Sequence, residues 1–220
     1  MSRINNDKVV DYLHSLYDGK DETYIEEIRQ YGEENQVPIV QREVGELLKT
    51  IIKIYKPKKI LEIGTAIGYS SILMASASSD ETIIKTIEIR EEMKEIADSN
   101  IKNNGLDDRI EVLLGDAALV LDDMDGKFDM VFIDAAKGQY IKYLKKVMPL
   151  LEDEAIIVSD NILYKAMIAD DSLVVRRKKT IVTRIRKYLD ILTSTENLTT
   201  SVIPIGDGVA ITYKEGECKI

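Results

Sequence analysis

After Pro57 the chain changes texture, and that change limits its fold more than any other feature. Short runs rich in β-branched residues, at 59–63, 82–89, 110–114, 128–133 and 155–158, alternate with amphipathic stretches near 69–78, 91–104, 116–123, 138–148 and 174–193. Strand–helix alternation of this kind builds an α/β fold, a mostly parallel sheet covered on both faces. The last part differs: 201–205, the turn Gly206-Asp207-Gly208 and 209–213 read as two strands of an antiparallel hairpin. Upstream of Pro57 the apolar residues recur at helical spacing. Val9, Val10, Leu13, Leu16 and Tyr17 form one stripe, Tyr24, Ile25, Ile28 and Tyr31 a second, and Val44, Leu47, Leu48, Ile51, Ile52 and Tyr55 a third. Val37-Pro38 separates the second helix from the third, and Pro57 stops the third. With no repeat or linker to divide it, the chain reads as a single domain over 1–220. Residues 1–56 form a helical N-terminal extension, and 57–214 form the core.

The 220 residues contain no apolar run near the ~20 residues that span a bilayer. The N-terminus mixes charges into its apolar positions and has no signal-peptide core, so a cytoplasmic location is expected. Cys218 is the only cysteine, which excludes an internal disulfide, and near the chain end it is a poor nucleophile candidate. A formal charge of −9 argues against indiscriminate coating of nucleic acid. The charge is uneven, however. Seven basic residues fall between Arg176 and Lys187, with no acidic residue among them, leaving 23 basic against 39 acidic residues elsewhere.

Ligands of open α/β sheets bind beyond the carboxyl ends of the strands. After the first strand, Gly64 and Gly68 let the backbone turn tightly and approach a ligand, with a helix N-terminus following. Their spacing is not the G-x-G-x-x-G of dinucleotide folds, which disfavours a dehydrogenase. Glu88 ends the second strand, 24 residues beyond Gly64, where a carboxylate can accept hydrogen bonds from both ribose hydroxyls. Gly115-Asp116-Ala117 follows the third strand, where it can contact an adenine or simply cap a helix. Asp134 follows the fourth strand, and Asp160-Asn161 the fifth. Two carboxylates and an amide oxygen at adjacent strand tips form an all-oxygen set suited to Mg²⁺; the alternative is that each Asp caps the next helix. His14, the only histidine, is remote in sequence from these tips, which argues against a Ser-His-Asp relay or a histidine-ligated zinc site.

The run Glu62 to Ser70, Glu88, Phe128 to Lys137, Asp160-Asn161 and Pro204 to Gly208 together resemble the cation-dependent O-methyltransferases, which include the catechol and caffeoyl-CoA enzymes. The resemblance spans roughly residues 22–214. It implies a class I methyltransferase (Rossmann-like) sheet of seven strands, with S-adenosylmethionine and Mg²⁺ as cofactors and a homodimeric assembly. Carried over by position, Val40, Gly64, Ser70, Glu88, Ala117 and Asp134 touch the cofactor, with Glu62 beneath its methionine portion. Asp134, Asp160 and Asn161 hold the metal, and Lys137 and Asp134 act in catalysis. The aromatic substrate-loop residues of the plant enzymes are not evident, which argues against a phenylpropanoid acceptor.

Ile181, Ile185, Tyr188 and Leu192 form a stripe that can pack down and leave Arg177, Arg184 and Lys187 outward, with Arg176, Lys178 and Lys179 at the helix start. Exposed cations beside a site suit a phosphate backbone, although a solvated helix face has the same pattern. The stretch Arg176 to Arg186 and Val37-Pro38-Ile39-Val40 also resemble bacterial tRNA 5-hydroxyuridine methyltransferases. That resemblance implies a tRNA anticodon loop as partner, with Arg176, Arg177, Lys178, Lys179 and Arg184 as RNA contacts and 5-methoxyuridine as product. The competing readings are a small-molecule O-methyltransferase acting on catechol-like vicinal oxygens and a non-catalytic S-adenosylmethionine-binding protein.

Overall fold

A computed structural model describes residues 4–218. In chain order it contains α1 (Asp7–Ser15), α2 (Thr23–Glu34), α3 (Arg42–Tyr55), β1 (Lys59–Ile63), α4 (Tyr69–Ala77), β2 (Ile83–Glu88), α5 (Glu91–Asn103), β3 (Ile110–Leu114), α6 (Ala117–Val120), β4 (Phe128–Ile133), α7 (Tyr140–Val147), β5 (Leu151–Ser159), α8 (Lys179–Ser194), β6 (Leu198–Ile203) and β7 (Val209–Glu215). All seven strands join one sheet in the order β3-β2-β1-β4-β5-β7-β6. Strands β1 to β5 are mutually parallel, whereas β7 runs antiparallel to both β5 and β6. The expected mostly parallel sheet with a terminal hairpin is therefore present.

Alternation along the strands sends successive side chains to opposite faces. Leu61, Ile63, Val131 and Ile133 pack with Leu144, Ile185, Tyr188 and Leu192 of α7 and α8. Ile60, Met130 and Phe132 pack on the other face with Val44, Leu48 and Ile72 of α3 and α4. Each such fully buried side chain contributes roughly 1.5–3 kcal/mol relative to exposure. Tyr188 keeps its hydroxyl satisfied at 2.5 Å from Ser159 Oγ, and Tyr140 meets its ring edge-on at 5.4 Å. Because β1 lies between β2 and β4, the connections diverge from the β1–β4 boundary, which opens a crevice at the strands' carboxyl ends.

Several elements differ from the sequence expectation. The helix expected over 116–123 shrinks to the four residues of α6 and gives way to a turn at Leu121 and Asp122. The helix expected from 174 begins only at Lys179, after a separate 3₁₀ turn at Arg176–Lys178. Arg176, Arg177, Lys178 and Lys179 put cations at and before the helix start, where they oppose the helix dipole. Strand β5 begins at Leu151 rather than 155, its exposed Glu152, Asp153 and Glu154 concealing the extended pattern. Among the described residues, no helix is long and apolar enough to cross a membrane.

The N-terminal helices are tied to the core and reach its hairpin end. Arg42 donates to the Tyr17 carbonyl at 2.7 Å and to Asp18 at 2.6 Å, and Asn5 Nδ2 donates to the Pro204 carbonyl at 2.8 Å.

Candidate functional site

A cleft of about 290 Å³ opens beyond the carboxyl ends of β1 to β4, and Val40, Gly64, Ser70, Glu88, Ala117, Asp134 and Lys137 all line it. Gly64 has φ +104°, and a Cβ there would stand 2.2 Å from the Asp134 carbonyl oxygen. Only glycine permits that approach of the first strand's loop to the fourth's. Glu88 is 6% exposed; its Oε2 accepts the Ala66 N–H at 2.8 Å and its Oε1 the Arg90 N–H at 2.9 Å. Those bonds pin the carboxylate at the cleft wall while leaving lone pairs for hydroxyl donors. Asp116 caps α6, accepting the Ala118 N–H at 2.8 Å, and together with Gly115 and Ala117 it also lines the cleft.

Glu62 is fully buried behind this cleft, with Oε2 accepting from Thr86 at 2.6 Å and from Ser71. Its Oε1 is buried without a partner among the described residues. Burial pushes its carboxyl up to about 7, against the lowering effect of the hydroxyls. An orphaned acceptor under a glycine cradle fits the ammonium end of an amino-acid cofactor.

Strands β4 and β5 are parallel neighbours with Ile133 opposite Ser159, so their following residues meet. Asn161 Nδ2 donates to Asp134 Oδ1 at 3.2 Å, and Lys137 Nζ donates to the same oxygen at 3.1 Å. Asp160 is 2% exposed and accepts the Asn161 N–H at 2.6 Å. Burial first, then the charge of Asp134, raises the Asp160 carboxyl well above the usual carboxylate range, and Lys137 opposes the rise. Neither Asp serves as the cap of a following helix: Asp134 spends its carboxylate on Lys137 and Asn161. Among the described residues, no three His, Cys, Asp or Glu side chains form a metal cluster, so a cation here depends on the amide. Asn161 presents its nitrogen to Asp134, and half a turn of the amide brings in its oxygen. Two carboxylates, one buried and disfavoured as an anion, plus an amide oxygen fit a hard divalent cation.

Two further groups border this cluster to which the sequence assigned no role in the site, one of them His14, which it placed away from the strand tips. Asp207, on the β6–β7 turn, accepts the Lys165 N–H at 2.6 Å, and burial raises its carboxyl. His14 shares a second cavity with Asn161 and Asp207. The Gly-Asp-Gly turn was the only available hint of the first, and nothing local marked the second. Cys218 is half-buried, with Sγ 3.5 Å from the Glu196 carbonyl.

The basic segment lies alongside. Arg184 Nη1 donates to the Gly138 carbonyl at 3.1 Å, one residue past Lys137. Arg176, Arg177 and Lys179 are exposed, and Lys178 Nζ stands 5.8 Å from the centre of the Tyr164 ring. The downward stripe is Val182, Ile185, Tyr188 and Leu192, with Ile181 only half-buried. Arg186 is engaged internally, on Asp171 at 2.6 Å and the Ile168 carbonyl at 2.9 Å.

A family model described as O-methyltransferase matches residues 14–215. The caffeoyl-CoA O-methyltransferase of Petroselinum crispum is 32% identical over 180 residues, covering 76% of this chain and 73% of the relative. A provisionally assigned caffeoyl-CoA O-methyltransferase structure from Staphylococcus aureus shares 36% identity at a TM-score of 0.87, covering 93% of this chain and 98% of that one. The O-methyltransferase TomG of Streptomyces achromogenes, involved in tomaymycin synthesis and solved with S-adenosylmethionine, shares 28% identity at a TM-score of 0.83, covering 95% of this chain and 96% of that one.

Proposed function

Since the chain belongs to the O-methyltransferase family, and so moves a methyl group from S-adenosylmethionine to oxygen, we propose that its acceptor is the 5-hydroxyl of 5-hydroxyuridine at the tRNA wobble position, with Mg²⁺ as resident cation. The product is 5-methoxyuridine. The O–CH₃ bond forms as the S–CH₃ bond breaks, the sulfur keeps the electron pair, and the hydroxyl proton leaves.

The observation that carries the tRNA reading is the contact of Arg184 with Gly138, which joins the cationic segment to the turn bearing Lys137. An acidic body with one basic strip beside its reactive cleft suits a polyanion presented in a single orientation. The anticodon base is already single-stranded, so little unstacking is needed to insert it.

The chain's own groups divide the work. Gly64 and Glu88 would seat the cofactor, with Glu62, buried behind the cleft, as the candidate acceptor for its ammonium end. Asp134, Asp160 and Asn161 would hold Mg²⁺, which when bound favours ionisation of a hydroxyl beside it. Lys137 Nζ, held at Asp134 Oδ1, is placed to offset the charge left behind, or, if a nearby metal makes it a neutral amine, to receive the departing proton. Burial of Tyr140, which donates to the Asp160 carbonyl at 2.9 Å, keeps the β5 tip in place.

Labelled S-adenosylmethionine and Mg²⁺ should be offered with 5-hydroxyuridine-bearing tRNA and with catechol in separate incubations. Label is expected in tRNA, recovered as 5-methoxyuridine by nucleoside mass spectrometry. Transfer to catechol alone would overturn the tRNA assignment in favour of a small-molecule enzyme.

A further inference from the structure

A second cavity of about 560 Å³ shares the Pro38–Ile39–Val40 segment as a wall with the cofactor cleft. Its volume falls in the roughly 300–1,000 Å³ usual for small-ligand sites. Asn161 and Asp207 line it from the sheet, and His14 and Val10 line it from α1. The cofactor cleft reaches Asp134 and the second cavity reaches Asn161, so the two chambers border the same cluster from different sides.

His14 is oriented there by design of its surroundings. Its Nε2 lies 2.7 Å from Glu43 Oε2, and the Glu43 side chain is only 2% exposed. A buried carboxylate is costly without a partner, so the contact fixes the imidazole and leaves Nδ1 as its remaining hydrogen-bonding atom. Helix α1 is anchored at both ends: Asn5 bonds the hairpin turn, and Arg42 holds the Tyr17 carbonyl. Neutralising Glu43 would by itself require neither a cavity nor an anchored helix.

We infer that this chamber receives the methyl acceptor and that His14, positioned by Glu43, contacts the acceptor ring and helps select it. The ring's oxygen edge lies toward Asn161, and a polar substituent on another edge accepts from or donates to His14 Nδ1. The inference rests on the proposed function for the chemistry of the reacting edge, but not for the choice between tRNA and a free catechol.

His14 is the chain's sole histidine, so its imidazole proton resonances report on the chamber without ambiguity. With Mg²⁺ and S-adenosylhomocysteine bound, adding 5-hydroxyuridine or catechol is expected to shift the His14 Cε1–H resonance. His14→Ala is expected to raise the acceptor KM about tenfold, the size of one lost hydrogen bond. It should change kcat by less than about twofold and leave S-adenosylhomocysteine affinity unaltered, and His14→Gln should recover part of the loss. A resonance that responds to the cofactor alone and to neither acceptor overturns the inference, even if the alanine variant fails to fold. So does an unchanged KM in a folded variant. Catechol turnover with a His14 shift, but no methylation of tRNA, would remove the tRNA reading and leave the chamber assignment standing. Methylated tRNA with a silent His14 would do the reverse.

Discussion

Glu62 sits with no exposure in the middle of an apolar strand, and its surroundings decide which protonation state the fold tolerates. Its place at the strand end before the Gly64 turn was readable from the sequence. Its partners Ser71 and Thr86 were not, since they come from α4 and β2 and meet it only through packing. Burial moves its carboxyl from the ordinary 4.5 up to about 7. Below the lower value both folded and unfolded chains are protonated there, and no penalty arises. As pH rises between the two values the unfolded chain loses its proton first, so stability falls; above the upper value the loss is complete. The full effect is on the order of 3 kcal/mol. Gln copies the protonated acid and has no proton to lose. The Tm of Glu62→Gln minus that of the unliganded native chain should therefore grow by several degrees from about pH 4.5 to about pH 7.5. Calorimetry showing a difference that does not vary with pH would mean that the carboxyl is ionised in the fold.

Helix α8 shows where local pattern suffices and where it does not. Its buried stripe was readable at helical spacing, but its start was not: a 3₁₀ turn at Arg176–Lys178 precedes it, and the helix begins at Lys179. Nor could spacing separate Arg186, which binds Asp171 and the Ile168 carbonyl, from Arg177 and Lys179, which face solvent. That distinction yields a test at the scale of the element. Reversing Arg177 and Lys179 to Glu should lower kcat/KM on tRNA at least about tenfold near 0.1 M salt, because each phosphate contact carries its own counterion release. Turnover of a free nucleoside or catechol should change by less than about twofold. If small-molecule turnover dropped equally, the segment would be acting through the fold. Sheet elements were easier to read than α6, whose four residues had too short an apolar face to outweigh the aspartates that follow.

Across the whole molecule, residues as far apart as His14, Gly64, Asp134, Asn161 and Asp207 come to two adjoining cavities, and of these the strand-tip residues Gly64, Asp134 and Asn161 were legible in the sequence as site residues. Strand tips are legible because a parallel sheet delivers them to one edge whatever the loops do. The placement of α1 is not, since it depends on tertiary bonds from Asn5 and Arg42. The crevice should also govern global stability. Burial and then the charge of Asp134 raise the Asp160 carboxyl, so near neutral pH a cation binding beside it is expected to displace a proton. A ligand that binds only the folded chain stabilises it by about 2.7 kcal/mol at a hundred times its Kd. For a chain of this size that raises Tm by about 5–10 °C. Mg²⁺ should produce that rise at about pH 8, and the rise should shrink as the buffer is acidified toward about pH 6, where protons compete for the site. Asp160→Ala should abolish both the rise and turnover. Its S-adenosylhomocysteine affinity should stay near the native value, since Asp160 does not line the cofactor cleft. A native Tm indifferent to Mg²⁺, together with full activity of the alanine variant in chelator, would leave the strand-tip oxygens with only a structural part in the reaction.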